Sequence, residues 1–407
     1  MTPIIAVPAI PSSTTASFIP DLESPLAALR RIEAQHPFWQ NPLLTAFAQG
    51  TLSRDDLRYV FSQYHLYSSS FTRFIAALIT SCDNDLFRAQ LSENLWEEGG
   101  GCEPERRHAQ IFRRFLADSF GIDVASLHYE PFTRQFVREY LDCVVHGGTV
   151  AGAAFLSLGT EGIVSRMYQI MRAGLRQAGI PDGELEFFDI HIACDDAHAA
   201  TLENMMLSYA GEPGWFETCV AAATRALDLR AEFFTGIYDA LRRRRIEPML
   251  QRMHGHASLA RGLDDQDLVC RPGNDTVPMY ANEVGKLNIQ FTVERLPVAA
   301  EVLDPRMVRI PAGKFNEKHK HAHETLIHIL EGSGQILIDD RVLPVQVGDT
   351  VLVPRWAMHQ TQNLGDRELR FLAVTDFAFS QRAYLGDATA YRMEVDVDGL
   401  RRRAGHA

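Results

Sequence analysis

The strongest constraint on this chain lies near its C-terminus, where two spaced segments carry a set of histidines. The first reads Gly313-Lys-Phe-Asn-Glu-Lys-His319-Lys-His321-Ala-His323-Glu324-Thr325. The second reads Gly348-Asp-Thr-Val-Leu-Val-Pro354-Arg-Trp-Ala-Met-His359-Gln-Thr-Gln-Asn363. Side chains on a strand alternate with period two, so His319 and His321 face the same way. His359 follows a Gly-Asp turn and a short apolar strand, and can close the set. Three imidazoles converging inside a small β-barrel make a metal site with open positions.

These two segments resemble the signature halves of the cupin family, Gly-x5-His-x-His and Gly-x5-Pro-x4-His-x3-Asn, without insertions. The resemblance implies a jelly-roll barrel whose metal ligands are His319, His321 and His359. Cupins usually add a Glu ligand shortly after the second His. Counted back from Gly332, that slot holds Thr325, and Glu324 beside it has the parity that faces away. His323 shares the parity of the ligands, either as a fourth ligand or as a group behind them. A barrel with surface histidines, or one that only binds a small molecule, would fit the same spacing.

The rest of the chain has another texture. Its 407 residues suggest two or three domains. Residues 1–24 are rich in Pro, Ser and Thr and read as a flexible arm. From 25 to 262 the pattern is helical. Ser53-Arg-Asp-Asp-Leu carries an N-cap and early acids, and Phe132 to Val145 has helical periodicity. Breaks fall at Gly121, Gly179 and Gly211. Residues 263–284 read as a linker, 285–390 as the barrel with its strand-like runs, and 391–407 as a C-terminal tail. The fold class expected is therefore multidomain, an all-α bundle followed by a β-barrel.

Charge and cysteine usage exclude several functions. A formal net charge of −12 argues against nucleic acid and anionic membranes as partners. The basic runs Arg242 to Arg245 and Arg401 to Arg403 are short. Six scattered Cys without a Cys-x-x-Cys, and an N-terminus lacking a basic segment, fit a reduced, cytoplasmic protein. The uncharged run from Cys143 to Thr160 reads as buried core.

The helical half holds a second set of ligand-type residues. His191, Asp195 and His198 are spaced i, i+4 and i+7, within about 60° on one helical face. Glu161 sits in the nearly uncharged stretch Thr149 to Met171, where an unpaired carboxylate is costly to bury. Glu98 ends Glu93-Asn-Leu-Trp-Glu-Glu before three glycines, and His108 opens the next helix. Taken singly, the pieces also fit a solvated helix face, a helix end, or an acid paired with Arg166. Their joint order resembles the haem-oxygenase-like di-iron oxidases and oxygenases, all-α bundles that bind no haem. The resemblance covers about residues 25 to 250, including His36-Pro-Phe-Trp and Leu52-Ser-Arg-Asp-Asp-Leu-Arg. It implies the iron ligands Glu98, His108, Glu161, His191, Asp195 and His198. Some members add a carboxylate from the early helix. Here the corresponding helix, about Tyr59 to Ser81, has no Asp or Glu, so a seventh ligand stays open.

A helical di-iron domain followed by a three-His cupin is similar in order to the nitrosourea-forming synthases. This implies Fe(II), two ions in the bundle and one in the barrel, with O2 as co-substrate. The expected reaction is N-hydroxylation of an amine or guanidine of an amino-acid-derived substrate. The cupin then completes oxidation or rearrangement, up to N–N bond formation. An external electron donor and a homodimer are expected. The alternatives are oxidative C–C cleavage or decarboxylation of an amino or fatty acid, and a ligand-sensing cupin protein without catalysis.

Overall fold

Caps and glycine stops cut the first part of the chain into helices. In this computed structural model, residues 24–193, 197–255, 258, 262–271, 275–384, 391–396 and 399–403 are described. The N-terminal arm and Asp195 lie outside them. The helices are α1 (Pro25–Gln35), α2 (Pro42–Ala48), α3 (Arg54–Ser68), α4 (Phe71–Ser81), α5 (Asp85–Glu98), α6 (His108–Phe120) and α7 (Pro131–His146). They continue with α8 (Gly148–Leu156), α9 (Gly162–Gln177), α10 (Glu186–Ala193), α11 (Ala197–Leu207), α12 (Trp215–His254) and α13 (Asp265–Leu268).

Local chemistry explains the boundaries. Ser53 and Asp56 form a capping box that starts α3. Gly121, in the left-handed region, ends α6. The early helix expected to run from Tyr59 to Ser81 is two helices. Ser69 and Ser70 both turn their hydroxyls onto the Leu66 carbonyl, at 3.2 and 2.7 Å, and so compete with the backbone ladder. The stretch Thr149 to Met171 is likewise not one α-helix. A π segment, Ser157–Glu161, separates α8 from α9.

The helical core is aromatic. The Phe61 ring meets Phe47, Phe115 and Phe188 edge-on at 5.9, 5.1 and 5.6 Å. Each such ring contributes roughly 2–3 kcal/mol by leaving water. Arg230 of α12 is fully buried among these rings. It donates to the Tyr67 and Tyr140 hydroxyls at 2.7 and 3.0 Å and lies over both ring faces. These contacts tie α12 to α3 and α7. Tyr64 of α3 and Tyr168 of α9 join through their hydroxyls at 3.0 Å. No helix among the described residues is long and apolar enough to cross a membrane.

The second part is antiparallel sheet around a separate core that includes Ile289, Phe291, Ile310, Ile336 and Phe371. Its strands are β1 (Val277–Val284), β2 (Ile289–Arg295), β3 (Asp304–Ile310), β4 (His319–Lys320), β5 (Thr325–Glu331) and β6 (Ser333–Ile338). They continue with β7 (Arg341–Gln346), β8 (Thr350–Val353), β9 (His359–Gln362), β10 (Leu369–Thr375), β11 (Tyr391–Asp396) and β12 (Gly399–Arg403). One sheet has the order β1-β2-β3-β10-β5-β8 and the other β12-β11-β4-β9-β6-β7. The helix α14 (Phe377–Ala383) follows β10.

Two stretches read as linker and tail are strands. β1 falls within 263–284 and pairs with β2 along its length. β11 and β12 fall within 391–403, pair with each other, and β11 pairs with β4. All three lie at or near a sheet edge. Edge strands tolerate Pro278 and the charged run Arg401 to Arg403, so they lack the apolar alternation that marks a central strand.

Two residues yield predictions about stability. Asn363, the last position of the second motif, is fully buried. It donates to the Ile310 and Arg367 carbonyls at 2.9 and 2.7 Å and accepts from the Gly365 amide at 3.0 Å. It clamps the turn before β10. Asn363→Ala should destabilise the barrel by about 2 kcal/mol, because it strands buried backbone groups. Denaturant unfolding followed by the barrel signal measures this. His65 is packed between Phe112 and Tyr129. Burial, aided by the Arg113 charge, lowers its pKa to about 4. The native state therefore binds fewer protons than the unfolded chain between about 6.5 and 4. Stability should be complete above pH 6.5 and fall as pH drops through that window. His65→Gln, which cannot titrate, should flatten the dependence of the helical melting midpoint on pH.

Candidate metal centres

The barrel centre is built from aimed imidazoles. His319 Nδ1 lies 2.9 Å from the Glu317 carbonyl. His321 Nδ1 lies 2.9 Å from the His323 carbonyl, and His359 Nδ1 lies 3.0 Å from the Ala357 carbonyl. A carbonyl oxygen only accepts, so each ring carries its proton on Nδ1 and presents Nε2 as a lone pair. The register places His319 directly opposite His359. Ligand atoms of His319, His321 and His359 all lie within 4.8 Å of one another. Burial, with the neighbouring His359, lowers the His321 pKa to about 3, and burial lowers that of His359. Neutral imidazoles are the form that binds a divalent metal.

Neighbouring residues define what else the barrel offers. Trp356 has φ 60°, a strained value for a bulky residue, and its amide donates to the His321 carbonyl at 2.8 Å. That bond ties the loop before His359 to the strand of the other two imidazoles. Glu324 is exposed and lies 3.9 Å from Arg355. Thr325 is buried at the start of β5. His323 stacks on His321 at 3.5 Å and meets Phe377 edge-on. A cavity of about 880 Å³ opens over the imidazoles, lined also by Arg306, Glu317, His323 and Thr325. Glu317 is 3 % exposed and accepts from the Asn282 amide at 3.2 Å.

The helical centre depends on a reversal of the chain after α5. Gly100 has φ +83°, and a Cβ there would meet the Glu103 carbonyl at 2.5 Å. The turn brings Glu98, the last residue of α5, to His108, the first of α6. Glu98 Oε2 lies 2.9 Å from His108 Nδ1. His191 Nε2, from α10, lies 3.1 Å from the same nitrogen. His191 Nδ1 donates to the Phe187 carbonyl at 2.6 Å, which leaves Nε2 as a lone pair. Ser68 Oγ lies 3.0 Å from His108 Nε2 and can accept its proton. Three lone-pair atoms then face one another, an arrangement that a cation between them stabilises. Phe71 and Phe187 pack against the His108 ring, and Phe187 also packs against His191.

The structure thus brings Glu98, His108 and His191 together. Glu161, half-buried, ends the π segment, which packs against α11. π segments recur at functional sites because one extra residue per turn re-aims a side chain. Asp195 lies outside the described residues, and His198 is placed only as a residue of α11. Arg166 lies over the Trp39 ring and donates to the Ala34 carbonyl at 3.3 Å.

Sequence reasoning passed over several residues of these sites. Ser68 supports His108, and Tyr168 lies 5.6 Å from His191, ring to ring. Glu317 shares the parity of His319 and His321, so the strand argument could have found it.

Comparisons with known proteins divide the chain in the same way. Residues 58–231 match the family described as iron-containing redox enzyme of the haem-oxygenase type. Residues 306–375 match the cupin domain. A 4-aminobenzoate synthase of Nitrosomonas europaea is 26 % identical over 222 residues, covering 51 % of this chain and 88 % of that protein. A 4-chloro-allylglycine synthase of Streptantibioticus cattleyicolor is 23 % identical over 229 residues, covering 54 % and 80 %. A solved cupin-2 domain from Rhodospirillum rubrum is 21 % identical, with a TM-score of 0.24, over 27 % of this chain and 74 % of that one. The protein is an oxidoreductase with a haem-oxygenase-like, iron-containing redox enzyme domain followed by a cupin domain.

Proposed function

We propose that this protein is an O2-dependent N-oxygenase with two iron centres. The helical domain N-hydroxylates an amine or guanidine of an amino-acid-derived substrate, and the cupin completes oxidation or rearrangement, including N–N bond formation. The observation that carries this reading is the presence of two separate clusters of aimed donors in one chain. Glu98, His108 and His191 form one, and His319, His321 and His359 the other. The names of the relatives support an amino-acid-derived substrate, since both denote synthesis of amino-bearing acids.

The residues have distinct parts. In the bundle, Glu98, His108, Glu161, His191, Asp195 and His198 would hold two irons, with the carboxylates offsetting the charge. In the barrel, the three Nε2 atoms would hold one iron. Iron supplies one-electron chemistry toward O2 and Lewis acidity when bound. The Phe187 carbonyl fixes the proton of His191 and so keeps its Nε2 lone pair aimed inward, while Ser68 can accept the proton of His108. Phe71 and Phe187 exclude water from the bundle site. Glu317 places a proton acceptor in the barrel cavity.

Protein purified without oxygen should hold about three irons per chain, by the donor count of the two sites. Glu161→Ala or His191→Ala should lose iron from the bundle and slow the first oxidation by about 100-fold or more. The barrel should keep its metal, because its ligands come from another core. Metal analysis and mass spectrometry of products made with labelled O2 decide this. Wild-type oxidation by Glu161→Ala contradicts the reading, and products that have lost a carbon favour oxidative cleavage instead.

His319→Ala or His359→Ala should leave the first oxidation intact and stop the second. An N-hydroxylated intermediate should then accumulate, detected by mass. If these variants are folded, lack the barrel metal and still form the wild-type product, the barrel is not catalytic.

A further inference from the structure

The wall of the barrel cavity carries polar groups that the three-imidazole centre does not use. His323 and Thr325 are 4 % and 5 % exposed, and both line the cavity. Among the described residues, His323 Nδ1 and Thr325 Oγ1 have no hydrogen-bond partner. A buried polar atom left in that state destabilises the fold. Such atoms are retained where a ligand, a water or an ion completes them. Thr325 is also the position at which cupins usually place a carboxylate.

Arg306 adds positive charge to the same wall. It lines the cavity, and its guanidinium carbon sits 5.0 Å from the Phe377 ring centroid. Its Nε and Nη2 hold Asp304 Oδ2 at 2.8 and 2.6 Å, which fixes the guanidinium plane. The same carboxylate serves Arg295, whose Nε lies 2.9 Å from Oδ1. One Asp therefore faces two guanidiniums, and a positive charge remains uncompensated by that group. Phe377 touches both partners of the wall: it underlies Arg306 and packs edge-on against His323. Fixed guanidinium, hydroxyl and imidazole on one wall is the donor set that recognises a carboxylate.

We propose that Arg306, Thr325 and His323 form a carboxylate-binding subsite that orients the cupin's substrate toward His319, His321 and His359. The ligand class is an organic acid with a metal-chelating group at its other end, such as an N-oxygenated amino acid. This rests on the reading of the three imidazoles as a metal-bearing substrate site. The residues act as positioning and specificity groups, since they grip the end of the substrate that does not react. The subsite also explains why the usual Glu is absent from position 325. A carboxylate there would repel the carboxylate of the substrate.

The test compares two hydroxamates on the full-length, iron-loaded protein by calorimetry. One is acetohydroxamate, a neutral chelator. The other is the monohydroxamate of succinic acid, which adds a carboxylate. Binding that survives in His319→Ala belongs to the bundle and is subtracted. The carboxylate-bearing compound should bind the barrel about tenfold tighter than acetohydroxamate. Arg306→Gln should erase that advantage and leave acetohydroxamate affinity unchanged. Thr325→Val, nearly isosteric and thus safe for the fold, should reduce the advantage about threefold. Equal affinity of the two compounds in the wild type, or equal weakening of both in the variants, overturns the subsite. If neither compound binds in a His319-dependent way, the metal-site reading itself fails and the subsite falls with it.

Discussion

Backbone carbonyls aim four of the imidazoles, His319, His321 and His359 in the barrel and His191 in the bundle, and the rest of each site builds on that. His319 and His359 each donate to the carbonyl two residues before, His321 to the one two residues after, and His191 to the one four residues before. The offset follows the element: two on strand-like chain, four on a helix. A carbonyl cannot change its role as acceptor, so the tautomer is fixed by secondary structure and not by a replaceable side chain. The lone pairs are in place before any ligand arrives. A strand register shifted by one residue would turn His319 and His321 outward together, so the pairing of β4 with β9 is as much a part of the site as the rings.

Much of this was legible because periodicity is a local property. The His-x-His face follows from a period of two. The boundaries near Ser53 and Gly121 follow from cap chemistry. What was hidden was set by tertiary context. The π segment before Gly162 has no composition signature. It is selected by packing of Gly159 against Ala226, where an added Cβ would approach to 2.2 Å. The edge strands β1 and β12 pass for loops because an edge strand need not alternate. Arg230 looks like an ordinary helix cation until the rings around it are placed.

That buried arginine shows how the helices of the bundle are tied together. An unpaired cation in a core is costly, and here tyrosine hydroxyls and ring faces offset the loss of water. The network runs from α12 through Tyr67 and Tyr140 to α3 and α7. A neighbouring link, Tyr64 to Tyr168, runs to α9, beside His191. Polar pairs inside an aromatic core specify one packing arrangement where rings alone would allow several. The site side chains sit at helix ends, Glu98 at the last residue of α5 and His108 at the first of α6. Their spacing therefore depends on how the helices are held, more than on the helices themselves.

The two donor sets differ in charge, and this divides their roles. The bundle sets the Glu98 carboxylate beside His108 and His191, so the protein would offset part of the charge of a cation held there. The barrel offers three neutral imidazoles, with a Thr where a carboxylate is usual. Metal bound there would be held by neutral ligands alone, with the Glu317 carboxylate in the cavity wall. An anionic or chelating ligand gains more from such a centre than from one already neutralised. On the proposed reading, the barrel would draw in a product that has acquired an acidic, oxygen-bearing group.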